Sequence, residues 1–265
     1  MGNAELGFLN PLFALADSLT SVDDESGPSF GLGEPAEDSE LARDDADLSG
    51  MWVSHVAIGS IGASLDHIIQ LRKLIMRPES AVTINAPWTL MRGALEPAAV
   101  ALWVLSGKTR ATRRTRALRV LHHDYSERGK WEMEHRKQPE AGRTGKDRAK
   151  QIETLAAGLG LDVAKVVTDL NYGDAVGAAG KAAGWNRKAA MSKWREASAF
   201  AHGRTWPLLN LASPTDATRI RGGFAMRMVL DEEHYEPLAK LTHDVLHRAL
   251  LDYAPLAASA TSRGS

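Results

Sequence analysis

Along most of the chain, apolar residues recur three and four positions apart, the spacing of helices with one buried face. The run "DLSGMWVSHVAIGSIGASLDHIIQLRKLIM" predicts a helix that Pro78 ends. "NAPWTLMRGALEPAAVALWVLSG" predicts a second, with Asn85 as N-cap, Gly107 as its stop and a kink or break at Pro97. A long basic helix follows over about 108–137, then a helix over roughly 143–158 that ends at "GLG". "LDVAKVVTDL" reads as a short helix, and "NYGDAVGAAGKAAGWN" as a flexible connector. The segment "SKWREASAFAHGRTWPLL" predicts a further helix, closed by Gly203 or Pro207. Strand-like alternation around Gly222 and Gly223 predicts a β-hairpin near residues 217–230, and a last helix spans about 232–253. The expected fold is mainly α, a helical bundle with one small hairpin.

The first 48 residues break this pattern. They hold twelve Asp/Glu against one Arg, a net charge of -11, and leave +10 on the rest of a chain whose total is -1. Acidic, with scattered Gly, Pro and Ser, residues 1–46 read as a disordered extension, and Pro11 interrupts any helix in "LGFLNPLFALA". The expected organisation is this extension, a helical domain over 47–255 and a disordered tail over 256–265. An acidic segment beside a basic body implies an anionic partner, or a segment that folds back onto the body. The composition, 44% hydrophobic and 25% charged, is that of a globular protein. No apolar run approaches the ~20 residues of a membrane span, so no membrane partner is expected. The absence of cysteine excludes disulfides, thiolate metal sites and thiol nucleophiles. With no secretory signal read in the sequence, the expected location is cytoplasmic.

Candidate chemistry concentrates in "WREASAFAHG". At roughly 100° per residue, Arg195, Ser198 and His202 fall on one stripe of the helix, with Trp194, Ala197 and Ala201 on the adjacent one. An arginine and a histidine so placed could hold a phosphate oxygen and move a proton at a ribose 2′-hydroxyl, cleaving RNA with no metal. The segment is similar to the Arg–spacer–His motif of HEPN-domain proteins, all-helical prokaryotic domains that include metal-independent RNases of toxin and anti-phage systems. It also resembles HEPN-like proteins of high-GC bacteria that carry an Arg-x3-Glu helix, here Arg92 and Glu96, and a late Ser-x3-His-Gly, here Ser198, His202 and Gly203. The resemblance covers about residues 50–253. It implies RNA as substrate, no cofactor, and a homodimer in which the Arg and His face their counterparts. Two departures stand beside it. Glu196 puts a negative charge where the family usually has Asn, Asp or His, and the same Arg-to-His spacing recurs at Arg128/His135 and Arg227/His234.

Three function classes follow: a metal-independent ribonuclease or a degenerate relative; a non-catalytic interaction module for a protein partner, with Arg92, Glu96, Arg195 and His202 as a buried polar cluster; and a metal-dependent bundle enzyme. Arg110, Arg113, Arg114, Arg116 and Arg119 are nucleic-acid-binding candidates on the basic helix, since phosphate contacts need clustered cations. The same residues can instead form a solvated helix face covered by the acidic segment. A metal reading rests on Glu132 and His135, half of the paired Glu-x-x-His of a di-iron bundle, with Glu96 as a further carboxylate and only Asp231/His234 as a weak second half. His243 and His247, four apart on the last helix, suit a helix–helix contact better than a metal, because no third ligand lies near them in sequence. No metal is expected.

Overall fold

The computed structural model describes residues 6–23, 27–76, 84–135 and 143–260. After a short 3-10 turn at Gly7–Leu9 come α1 (Asn10–Leu19), the paired strands β1 (Thr20–Asp23) and β2 (Gly27–Phe30), and α2 (Glu40–Asp45). The body is built from α3 (Val53–Ile75), α4 (Asn85–Leu105), α5 (Arg110–Glu134), α6 (Gly145–Gly158), α7 (Val163–Val166), α8 (Tyr172–Ala182), α9 (Arg187–Ala201) and α10 (Thr205–Asn210). The antiparallel hairpin β3 (Ala212–Ile220) and β4 (Gly223–Leu230) follows, and α11 (Glu232–Ala257) closes the chain. The protein is mainly α, as the apolar periodicity predicts. It also carries a second strand pair, β1–β2, in a segment whose sequence shows no strand alternation.

α4 lies at the centre, packed by α3, α8, α9 and α11, and by α5 at its C-terminal end. Inside, the Trp88 ring stacks on Phe200 at 4.4 Å and meets Tyr235 edge-on at 5.1 Å, so α4, α9 and α11 share one aromatic centre. A second apolar cluster joins α2, the start of α3, the end of α4, and α5, α6 and α7 around Val53, Leu118 and Ile152.

Several sequence expectations are corrected. Pro97 neither breaks nor divides α4, which runs unbroken through it. Asn85 is the first helical residue rather than the N-cap, which is Ile84. Pro11 occupies the first turn of α1, where a missing N–H costs nothing. The Gly-rich stretch read as a connector is α8. The hairpin begins five residues earlier than expected, with an irregular register between Thr215 and Thr218. Pro78 lies outside the described residues.

The largest correction concerns residues 1–46. Among the described ones, Leu9, Leu12, Phe13 and Ala16 of the α1 region enter the core, and Leu41 of α2 is fully buried in the second cluster. Acidic residues did not prevent burial because the body supplies their partners. The tail is also held in part: Ser259 Oγ donates to Asp38 at 2.7 Å and Ala260 N–H donates to the same carboxylate at 3.0 Å.

Candidate functional site

α9 is positioned by small residues and one tryptophan. Ala190, Ala197 and Phe200 face inward. The Trp194 indole lies so near Gly173 of α8 that an added Cβ there would sit 2.9 Å from the ring, so only glycine fits. Trp194 Nε1 donates to Glu96 Oε1 at 2.6 Å, and Arg92 Nε donates to the same oxygen at 2.8 Å. The polar cluster that the sequence suggests therefore exists, but it is Arg92–Glu96–Trp194. Arg195 and His202 take no part in it.

Both of those residues are exposed, and neither side chain makes a hydrogen bond or ion pair among the described residues. Ser198 sits between them, half-buried. Ser192 and Lys188 are exposed on the same stripe, one and two turns before Arg195. Glu196 is occupied by Lys193 at 2.7 Å and Ser192 at 3.4 Å, so its charge is balanced within its own helix. His202 is the C-cap of α9. Gly203 follows with φ +62°, its N–H bonding to Phe200 O and the Arg204 N–H to Ala199 O. These two bonds form a Schellman stop, which favours glycine and fixes the end of the helix. The "HG" pair thus sets the imidazole at the carbonyl end of α9.

The five arginines of α5 are placed differently from the sequence expectation of a nucleic-acid face. Arg113 is buried: its guanidinium forks onto Asp44, a fully buried carboxylate of α2, and reaches Glu40 at 3.4 Å and Gly107 O at 3.1 Å. Arg114 is also buried and donates to the carbonyls of Asp44 at 2.7 Å and Arg43 at 3.0 Å, and to Ala46 O, satisfying the C-terminal end of α2. Arg110, half-exposed, lies 3.6 Å from Asp44. The Arg110, Arg113 and Arg114 charges therefore serve to hold the acidic segment. Arg116 donates to Trp103 O and to Ser106 Oγ at 3.3 Å, and Arg119 donates to the carbonyls of Thr168 at 2.8 Å and Asp169. Burial lowers the pKa of Arg116 from its ordinary value. Trp103, whose ring both of these arginines approach, had no signal in the sequence: its partners are brought to it only by the α4–α5 corner.

The remaining metal candidates are engaged otherwise. Glu132 is buried, accepts from Arg128 at 2.7 Å, and caps α6 by accepting the Gly145 N–H at 2.7 Å. His135 is exposed and stacks on Trp131 at 4.8 Å. Asp231 is the N-cap of α11, accepting from Glu233 N–H. His243 and His247 lie with ring centres 5.6 Å apart, and His243 contacts Asp244 at 3.0 Å. Burial would raise the Asp244 pKa, but hydrogen bonds from His243, Lys240 and Trp185 outweigh it and hold the carboxyl below its usual range. Among the described residues no three His, Asp or Glu side chains converge as a metal site. No helix among them is long and apolar enough to cross a membrane.

Comparison with protein-family models, with curated proteins and with solved structures finds no match for the chain. The functional reading therefore rests on the site alone.

Proposed function

We propose that the protein is a HEPN-like RNA-binding protein that cleaves RNA without a metal, with α9 as the reactive face and a homodimer as the working unit. The observation that carries this reading is the exposure of Arg195 and His202, two turns apart, with the one carboxylate of their helix, Glu196, already paired to Lys193. Exposed long side chains that make no internal contact are free to meet a ligand. Arg195 grips a non-bridging phosphate oxygen. His202 takes the proton from the 2′-hydroxyl, the 2′-oxygen attacks phosphorus, and the bond to the 5′-oxygen breaks as that oxygen takes a proton from solvent water. The products are a 2′,3′-cyclic phosphate and a 5′-hydroxyl. Ser198, half-buried between the two, is placed to orient the imidazole or the phosphate.

The test is incubation of the purified chain with total RNA and tRNA in EDTA. Cleavage is expected, with Arg195→Ala and His202→Ala each reducing it about 100-fold or more. Because both side chains are exposed, neither substitution should change stability by more than about 0.5 kcal/mol. Absence of cleavage, or cleavage unchanged in both variants, refutes the catalytic reading. A non-catalytic interaction module would then be favoured by the exposed apolar side chains that follow α9, Trp206 and Leu209 of α10 with Ile220 and Met226 of the hairpin.

A further inference from the structure

A cavity of about 500 Å³ opens between the start of α5 and the loop from α6 to α7, within the size range of small-ligand pockets. Trp103, Thr115, Arg116, Arg119, Leu161 and Lys165 contribute to its wall. Its charge is unbalanced. Arg116 engages only Nη1 and Arg119 only Nε and Nη2, all on carbonyl or hydroxyl oxygens, and neither forms an ion pair with a carboxylate among the described residues. Arg113, one turn away on the same helix, has Asp44 and Glu40. The only carboxylate in the wall among the described residues, Asp162, sits 3.0 Å from Lys165. Three cations thus face one anion.

The two guanidinium groups are also held in place. Their central carbons lie 5.3 and 5.7 Å from the centre of the Trp103 ring, and their carbonyl partners fix the remaining freedom. Arg116 Nε and Nη2, Arg119 Nη1 and the Thr115 hydroxyl have no partner among the described residues. Half-buried cations are stable when an opposite charge meets them, and burial disfavours the Arg116 charge while none does. An anion with more than one negative charge completes the arrangement, and guanidinium forks match phosphate oxygens in pairs.

We propose that this cavity binds a small phosphorylated ligand of diphosphate character, held by Arg116, Arg119 and Lys165. The proposal does not depend on RNA cleavage at α9.

Titration calorimetry of the full chain with pyrophosphate tests it, at constant ionic strength. Saturable one-to-one binding is expected, weakened about tenfold or more in Arg119→Gln. Since Arg119 also holds the loop after α7, a second variant is needed. Ala111 is exposed in the first turn of α5 and lines the cavity, so Ala111→Glu adds a competing negative charge without removing a contact. It should abolish binding while leaving the melting temperature unchanged. Arg195→Ala and His202→Ala should bind pyrophosphate as the unaltered chain does. No saturable binding up to about 10 mM, a range that would still detect millimolar affinity, overturns the proposal. So does equal affinity in the Ala111→Glu variant. Tighter binding of a single-stranded RNA oligonucleotide that is lost in Ala111→Glu but kept in Arg195→Ala would also overturn it, by making the cavity part of a polynucleotide track.

Discussion

Charged residues in this molecule divide by burial, and the division sets what each substitution does. Asp44 is fully buried and meets Arg113 and Arg110, so Asp44→Ala leaves the buried Arg113 guanidinium only the Glu40 carboxylate at 3.4 Å. We expect a loss of about 3–5 kcal/mol in urea unfolding, little changed by salt because the pair is shielded from solvent. Exposed Arg195 sits at the other extreme. Tyr253 adds a pH effect. Its hydroxyl donates to Gly33 O at 2.8 Å, and burial, with the nearby Asp45 and Glu34 charges, pushes the phenol up to about 12. The unfolded value is about 10, so the folded state holds this proton more tightly. The resulting stability is fully present below about pH 10 and is lost as pH rises through about 12. Alkaline unfolding followed by circular dichroism should therefore decline less steeply in Tyr253→Phe; an identical slope would assign the loss to other groups.

At the scale of elements, the sequence was legible where apolar spacing was strong and opaque where small or charged residues did the packing. The basic helix, expected over about 108–137, is α5 at Arg110–Glu134, and the helix expected over roughly 143–158 is α6 at Gly145–Gly158. α8 was missed because its buried face is Gly173, Ala175, Gly177, Ala179 and Gly180, with Val176, and small residues carry little apolar signal. Their value appears only against α9, whose Met191 and Ala190 leave no room for a Cβ at Gly177 or Gly180. α2 was missed for the opposite reason: its charges find partners on α5, some 70 residues away in the chain. For the candidate site, the stripe of Arg195, Ser198 and His202 could be read from spacing. That Glu96 would choose Trp194 over Arg195 could not. The Gly203 stop gives a further test. Alanine at φ +62° should cost about 1–2 kcal/mol in thermal unfolding. It should also reduce RNA cleavage by letting the His202 end of α9 fray.

For the whole molecule, the acidic segment is part of the fold. Deleting residues 1–46 removes Leu9, Leu12, Phe13 and Leu41 from the core, each worth about 1.5–3 kcal/mol when buried. It also removes Asp44 from Arg113. Together these approach the whole stability of an ordinary domain, ~5–15 kcal/mol. The truncated chain should lose its cooperative melting transition, rather than gain the stronger RNA binding that an unattached acidic tail would predict. A truncated chain that melts as the full one does would return the segment to the status of an accessory.

The same segment closes on the far end of the sequence. Ala36 N–H bonds to Ala257 O, Tyr253 reaches Gly33, and Asp38 holds Ser259 and Ala260. During synthesis, then, the segment from α1 to α2 waits for α11, which follows the rest of the helical body in the chain. Leu12 and Phe13, which pack where α11 comes to lie, stay wet until that helix emerges, and nascent chains stopped short of it carry an open apolar seam. Chaperone capture of such stalled chains is the expected cost of this closure.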